Sequence, residues 1–198
     1  MFVDICGEGG EGYFQSLDQA VYSALARCVQ DRELWPLSAK VEKLFSFLKS
    51  QDPTEFSGLI FVRQRATVTV LFAMLSAHPC TAEQFRCGSF VGLSNSSKKQ
   101  YGMPELLDLK AQQDTIVEFR PGRKNLVIAT DVLEEGIDVT ACNVVICFDP
   151  PSNVKSFIQR RGRARKEGSA FVIMLPSGDT GSKIDLWTKL EQQLIETY

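Results

Sequence analysis

With 198 residues, 44% of them hydrophobic and 23% charged, the chain has enough apolar material for one compact α/β domain and needs neither a metal nor a disulfide to hold it together. A net charge of −2 and a pI near 5.5 exclude a generally basic nucleic-acid coat, so any basic cluster is a local feature and any nucleic-acid contact is focused. Six cysteines without a CxxC pair and a single histidine, His78, leave little material for a zinc site; reduced thiols in a cytoplasmic or nuclear protein are expected, with no signal peptide and no apolar run near the roughly 20 residues of a membrane span.

Along the chain, MFVDIC followed by GEGGEG imitates a dinucleotide-binding turn, with Gly7, Gly9 and Gly12 in a GxGxxG pattern and Asp31 downstream. Glu8 and Glu11 would face the pyrophosphate, so the segment reads as an acidic connector. Residues 16–30 and 37–49 carry apolar positions at helical spacing, broken at Trp35 and Pro36, with Leu37, Val41, Leu44, Phe45 and Leu48 on one face of the second helix. A polar turn with Pro53 precedes a strand over residues 59–62 and an amphipathic helix over 64–77. Next come a short strand over 90–93, a polar loop SNSSKKQYGMPE bearing Lys98 and Lys99, a helix over 106–119 and the turn PGRKN.

Residues 126–129 and 144–148 are short, rich in β-branched side chains and too uniformly apolar to have a wet face, so both read as buried parallel strands. After the first come Thr130, Asp131, an acidic helical turn closed by Gly136, and Asp138. The second ends in FDPP, after which Ser152 or Asn153 can cap a helix through Val154, Phe157 and Ile158 that delivers Gln159, Arg160, Arg161, Arg163 and Arg165 around Gly162. These polar groups are expected to gather at the carboxyl edge of a parallel sheet, where open α/β folds bind ligands. Residues 170–175 form a final buried strand, and past the break at 178–181 Ile184, Trp187, Leu190 and Leu194 stripe a terminal helix that reads as a docking surface.

IATDVLEEGIDV resembles motif V, and QRRGRAR motif VI, of the second RecA-like lobe of superfamily 2 helicases. Joined by ACNVVICFD, the pair is most similar to the helicase region of Dicer, particularly the fungal Dicer-like proteins, and GLIFVRQRATVTVLFAMLS resembles motif IV. A buried strand and a solvated basic helix end would account for the apolar residues but not for four arginines in six positions, which repel one another. The resemblance implies an α/β fold with a RecA-like parallel sheet flanked by helices, a P-loop NTPase-type second lobe over residues 37–178, a connector over 1–36 and a docking helix over 179–198.

It also implies an ATP-dependent helicase or translocase on double-stranded RNA, part of a Dicer-like endoribonuclease in RNA silencing and antiviral small-RNA production. ATP and Mg²⁺ would be shared with a first lobe, because the chain carries neither a GxxxxGK[ST] phosphate loop nor an acidic DExx box and is expected to be inactive alone. Arg163 is the first choice for an arginine finger, with Arg161 and Arg165 as partners; Gly136, Asp138 and Gln159 would face the nucleotide. RNA phosphates would be met by Thr130, by Gln64 and Arg65 at a helix start, by Gly92 and by Gln112. Arg165 follows Arg163 by two positions where many relatives use three, which leaves the secondary finger open. No metal ligand is assigned within the chain. Expected partners are double-stranded RNA, the first lobe and a double-stranded-RNA-binding protein, with no membrane. A non-catalytic RNA-binding or scaffold module, or the second lobe of another superfamily 2 RNA helicase, is the alternative.

Overall fold

A computed structural model describes residues 37–91, 103–133, 139 and 141–197, with 103–109 and 194–197 described by their backbone alone. The connector and helix read over residues 1–36, the loop with Lys98 and Lys99, and Gly92, Gly136 and Asp138 lie outside the described residues.

Five strands, β1 (Gly58–Phe61), β2 (Cys87–Phe90), β3 (Leu126–Ala129), β4 (Val144–Cys147) and β5 (Ala170–Ile173), form one parallel sheet in the order β2-β3-β1-β4-β5. The period of two divides their side chains between two cores. Ile60, Ile128 and Ile146 point to one face, covered by α1 (Ala39–Lys49) and α2 (Arg65–Ala77) through Leu44, Leu48, Leu71 and Leu75. Leu59, Phe61, Val127 and Val145 point to the other, where they meet Ile116 and Phe119 of α4 (Met103–Phe119) together with Leu133 and Val139. Burial on both faces explains why β1, β3 and β4 are apolar at every position. Ser38 caps α1 by accepting from the Val41 N–H, and Val41, Leu44, Phe45 and Leu48 are its buried stripe, as their spacing predicts.

Three local readings change. The second strand lies at Cys87–Phe90, three residues before the expected position, because Cys87 to Phe90 pair in register with Leu126 to Ala129. Gly88 hides this strand in the sequence: a Cβ there would stand 2.6 Å from Thr115 Cγ2, so the α4 contact excludes a side chain. A one-turn helix, α3 (Pro79–Ala82), follows α2, opened by Pro79 and by His78, whose Nδ1 accepts from the Cys80 N–H at 3.1 Å while its ring packs edge-on against Phe45. β5 ends at Ile173 and is half-buried rather than buried, since it pairs only with β4 among the described residues.

Helix α5 (Val154–Arg161) connects β4 to β5, and α6 (Ser182–Thr197) ends the described chain. Asn153, of the two expected caps, closes α5 by accepting from the Ser156 N–H at 2.9 Å.

Candidate functional site

Past the carboxyl end of β1, α2 begins at Arg65 with Gln64 as its N-cap residue. The Gln64 side chain makes no capping bond, the Thr67 and Val68 N–H groups go back to the Gln64 carbonyl at 3.1 and 3.3 Å, and the Gln64 and Arg65 side chains are exposed, so a helix start of the kind that can hold an anion carries two exposed polar side chains. Past β3, Thr130 is buried; its Oγ1 donates to the Val91 carbonyl at 3.1 Å. Gln112, buried on α4, accepts the Val91 N–H at 3.2 Å. Thr130 and Gln112 thus hold the two main-chain groups of one residue at the exit of β2, and the Thr130 hydroxyl proton is committed there.

Sequence reasoning did not single out the hub of this edge. Asp149, past β4, accepts from Lys40 Nζ at 3.1 Å through Oδ1 and from the Arg63 N–H at 2.9 Å through Oδ2. Its carbonyl takes an N–H from Arg160 at 3.0 Å. Arg160 is only 2% exposed; its other terminal nitrogen lies 2.5 Å from Asp131 Oδ1, and its guanidinium sits 5.0 Å from the centre of the Phe61 ring. One arginine therefore ties the ends of β1, β3 and β4 together. Its side chain reaches that edge because helical side chains lean toward the helix N-terminus, and α5 starts there.

The rest of the arginine run sits elsewhere, which corrects the expectation that all polar groups gather at the carboxyl edge. Ala164 bridges to Cys142, two residues before β4 begins, and the Arg163 carbonyl accepts the Cys142 N–H at 3.1 Å. The reason is length. Eight residues of α5 rise about 12 Å, close to the roughly 13 Å of a four-residue strand, so the helix carries the chain back to the amino edge. Burial pushes the Cys142 thiol up to about 11, a rise opposed by a hydrogen bond with Ser57 and by the positive charges of Lys166 and Arg163.

Arg163 is half-buried, Arg165 is exposed with its Nε donating to the Gly162 carbonyl at 2.6 Å, and Arg161 is ion-paired with Glu191 of α6. Gln159 is half-buried on α5. As a test of fit for a nucleotide, this region presents guanidinium groups beside the carboxyl terminus of a helix and no turn of convergent N–H groups among the described residues. Such a set suits neutralising charge on a phosphate held elsewhere; it does not cradle one. Among the described residues, no helix is long and apolar enough to cross a membrane.

The pattern of the family described as the helicase conserved C-terminal domain matches residues 39–168. Dicer-like protein 2 of Neosartorya fischeri is 52% identical over 176 residues, which cover 89% of this chain and 13% of that protein. Dicer-like protein 2 of Aspergillus fumigatus is 54% identical over 170 residues, covering 86% of this chain and 12% of the relative. The chain thus spans only a small part of the length of the curated relatives it matches. The C-terminal domain of the DEAD-box protein Dbp5 shares the fold, with a TM-score of 0.58 at 22% identity over 78% of this chain and 79% of that one. The sheet is RecA-like, and the chain belongs to the family of helicase conserved C-terminal domains, with the fungal Dicer-like proteins among its relatives.

Proposed function

We propose that this chain is the second lobe of an ATP-dependent module that moves along or unwinds double-stranded RNA within a Dicer-like endoribonuclease of RNA silencing and antiviral small-RNA production, working in the cytoplasm or nucleus. The observation that carries the reading is the separation of two anion-friendly regions, the start of α2 at the carboxyl edge and the run from Arg163 to Lys166 at the amino edge. One suits an RNA phosphate and the other a nucleotide phosphate. Arg163 acts as the arginine finger on a nucleotide held by the first lobe, with Arg165 as the nearer auxiliary; Gly136, Asp138 and Gln159 complete the nucleotide side. A finger of this kind contributes roughly 10³ to 10⁵ in rate, about 4 to 7 kcal/mol of barrier. On the RNA side Gln64, Arg65 and Gly92 meet phosphates, while Thr130 and Gln112 serve that contact by holding Val91.

The test is steady-state ATPase with and without double-stranded RNA. The isolated chain should show no RNA-stimulated turnover, because it has no phosphate loop. In a protein carrying both lobes, Arg163→Lys should remove most of the turnover while RNA binding persists, since a point ammonium cannot reproduce the planar fork. Unchanged turnover in Arg163→Lys, with folding verified, would leave the arginines as an RNA clamp and sink the finger.

A further inference from the structure

We infer that Arg161 is the docking residue through which α6 positions the motif VI helix, and that it does not touch the nucleotide. This deepens the function proposed above and rests on it. The inner face of α6 consists of Ile184, Trp187, Thr188 and Glu191, the i, i+3, i+4, i+7 series of one helical stripe, which leaves Leu186 and Leu190 exposed. The apolar stripe expected from sequence held Leu190 in place of Glu191. Glu191 closes on the Arg161 guanidinium. One turn away the Trp187 ring lies 5.9 Å from the Phe157 ring, which in turn meets Phe171 of β5 edge-on at 5.7 Å. The α6 helix is therefore held by an aromatic contact and an ion pair, both to α5.

The attachment is close to the reacting region in sequence and in space. The Arg161 carbonyl accepts the Ala164 N–H at 3.0 Å, within the turn that sets Arg163 against Cys142. The entry of α6 is fixed as well: Gly181 has φ +73°, its N–H donates to Asp179 Oδ1 at 2.9 Å, and a Cβ on it would stand 3.2 Å from Leu175 Cδ1. With one terminal nitrogen held by Glu191, the Arg161 guanidinium has part of its charge compensated and its position set by α6. Movement of α6 would thus shift the turn carrying Arg163, which makes the terminal helix a route by which turnover is tuned.

The experiment is a charge swap in a protein carrying both lobes: Arg161→Glu, Glu191→Arg and the two together, with Glu191→Gln covering the case in which a reversed charge unfolds the lobe. Each single change should lower kcat by about twofold to fivefold, the range a partly exposed ion pair supports, with KM for ATP little changed, and the swap should restore it. In the 198-residue chain with Trp35→Phe, Trp187 emission should shift to the red in the single variants and return in the swap. A loss of roughly a thousandfold in Arg161→Glu that the swap fails to rescue, with Trp187 emission restored, would place Arg161 on the nucleotide and overturn the inference. Emission unchanged in all single variants would overturn it too. Absence of RNA-stimulated turnover in the wild type would defeat the function proposed above, and Trp187 emission would still decide the docking pair.

Discussion

Removing the half-exposed acid of the Asp131–Arg160 pair should destabilise the lobe more than removing the buried base. Asp131→Ala leaves the Arg160 guanidinium in a site 2% exposed without its carboxylate partner, retaining the Asp149 carbonyl and the Phe61 ring. Breaking a buried pair from one side costs about 3 to 5 kcal/mol; the Asp131 side chain is 47% exposed, so water already screens it, and about 2 kcal/mol is the expected loss. Arg160→Met keeps most of the stem's volume, offers the Phe61 ring a sulfur in place of the guanidinium and returns Asp131 to water, so the main loss is the donor to the Asp149 carbonyl, about 1 kcal/mol. Urea unfolding of the two variants and their combination reads this directly: with a slope of about 2 kcal/mol per molar, Asp131→Ala should move the midpoint by about 1 M. The combination should cost less than the sum of its parts. If Arg160→Met proved the more damaging single change, the stem's packing would outweigh the stranded charge and the reasoning would fail.

Gly88→Ala should lower stability by about 1 to 3 kcal/mol in thermal unfolding, because Thr115 is buried and its Cγ2 cannot retreat from a Cβ placed 2.6 Å away, whereas the Lys124 stem at 2.8 Å can swing aside. Pairing it with Thr115→Ser, which removes that methyl, should recover part of the loss. Burial raises the Cys87 and Cys142 thiols from the ordinary 9.0 to about 12 and about 11, so the folded state keeps protons that the unfolded chain releases. That contribution is whole below pH 9.0 and is lost as pH rises through about 11 to 12; unfolding measured from pH 8 upward should show the decline begin near 9, and Cys142→Ala should flatten it. In the native state iodoacetamide should label the exposed Cys80 well before the buried Cys87, Cys142 and Cys147.

The sheet was legible where burial is two-sided. Runs such as Leu126 to Ala129 and Val144 to Cys147 have no position facing water, so a short, wholly apolar stretch is their only possible appearance. Cys87 to Phe90 is an edge strand that pairs only with β3 among the described residues; its Gly88 answers to the close approach of α4 and its Ser89 is half-buried, so the apolar signal moves to Val91 and Leu93 and the reading follows it. At β5 the apolar residues run on through Met174 and Leu175, while strand pairing runs out with β4, whose last residue, Cys147, pairs with Ile173 and accepts the Met174 N–H at 3.0 Å.

The arginine run shows why the chemistry of a site is easier to read than its placement. Residue types revealed a concentration of positive charge that needs compensation, and within four positions of Arg160 and Arg161 the sequence offers no acid, Glu167 lying only near the far end of the run. The compensating carboxylates come from Asp131 and Glu191, 29 and 30 residues away. They divide the run by place: Arg160 joins strand ends, Arg161 pairs with Glu191 of α6, and Arg163 lies where the chain has already returned to the other edge of the sheet. Four arginines can share six positions because the fold sends their charges in different directions. Knowing the length of α5 would have revealed the change of edge; knowing the partners required the tertiary structure.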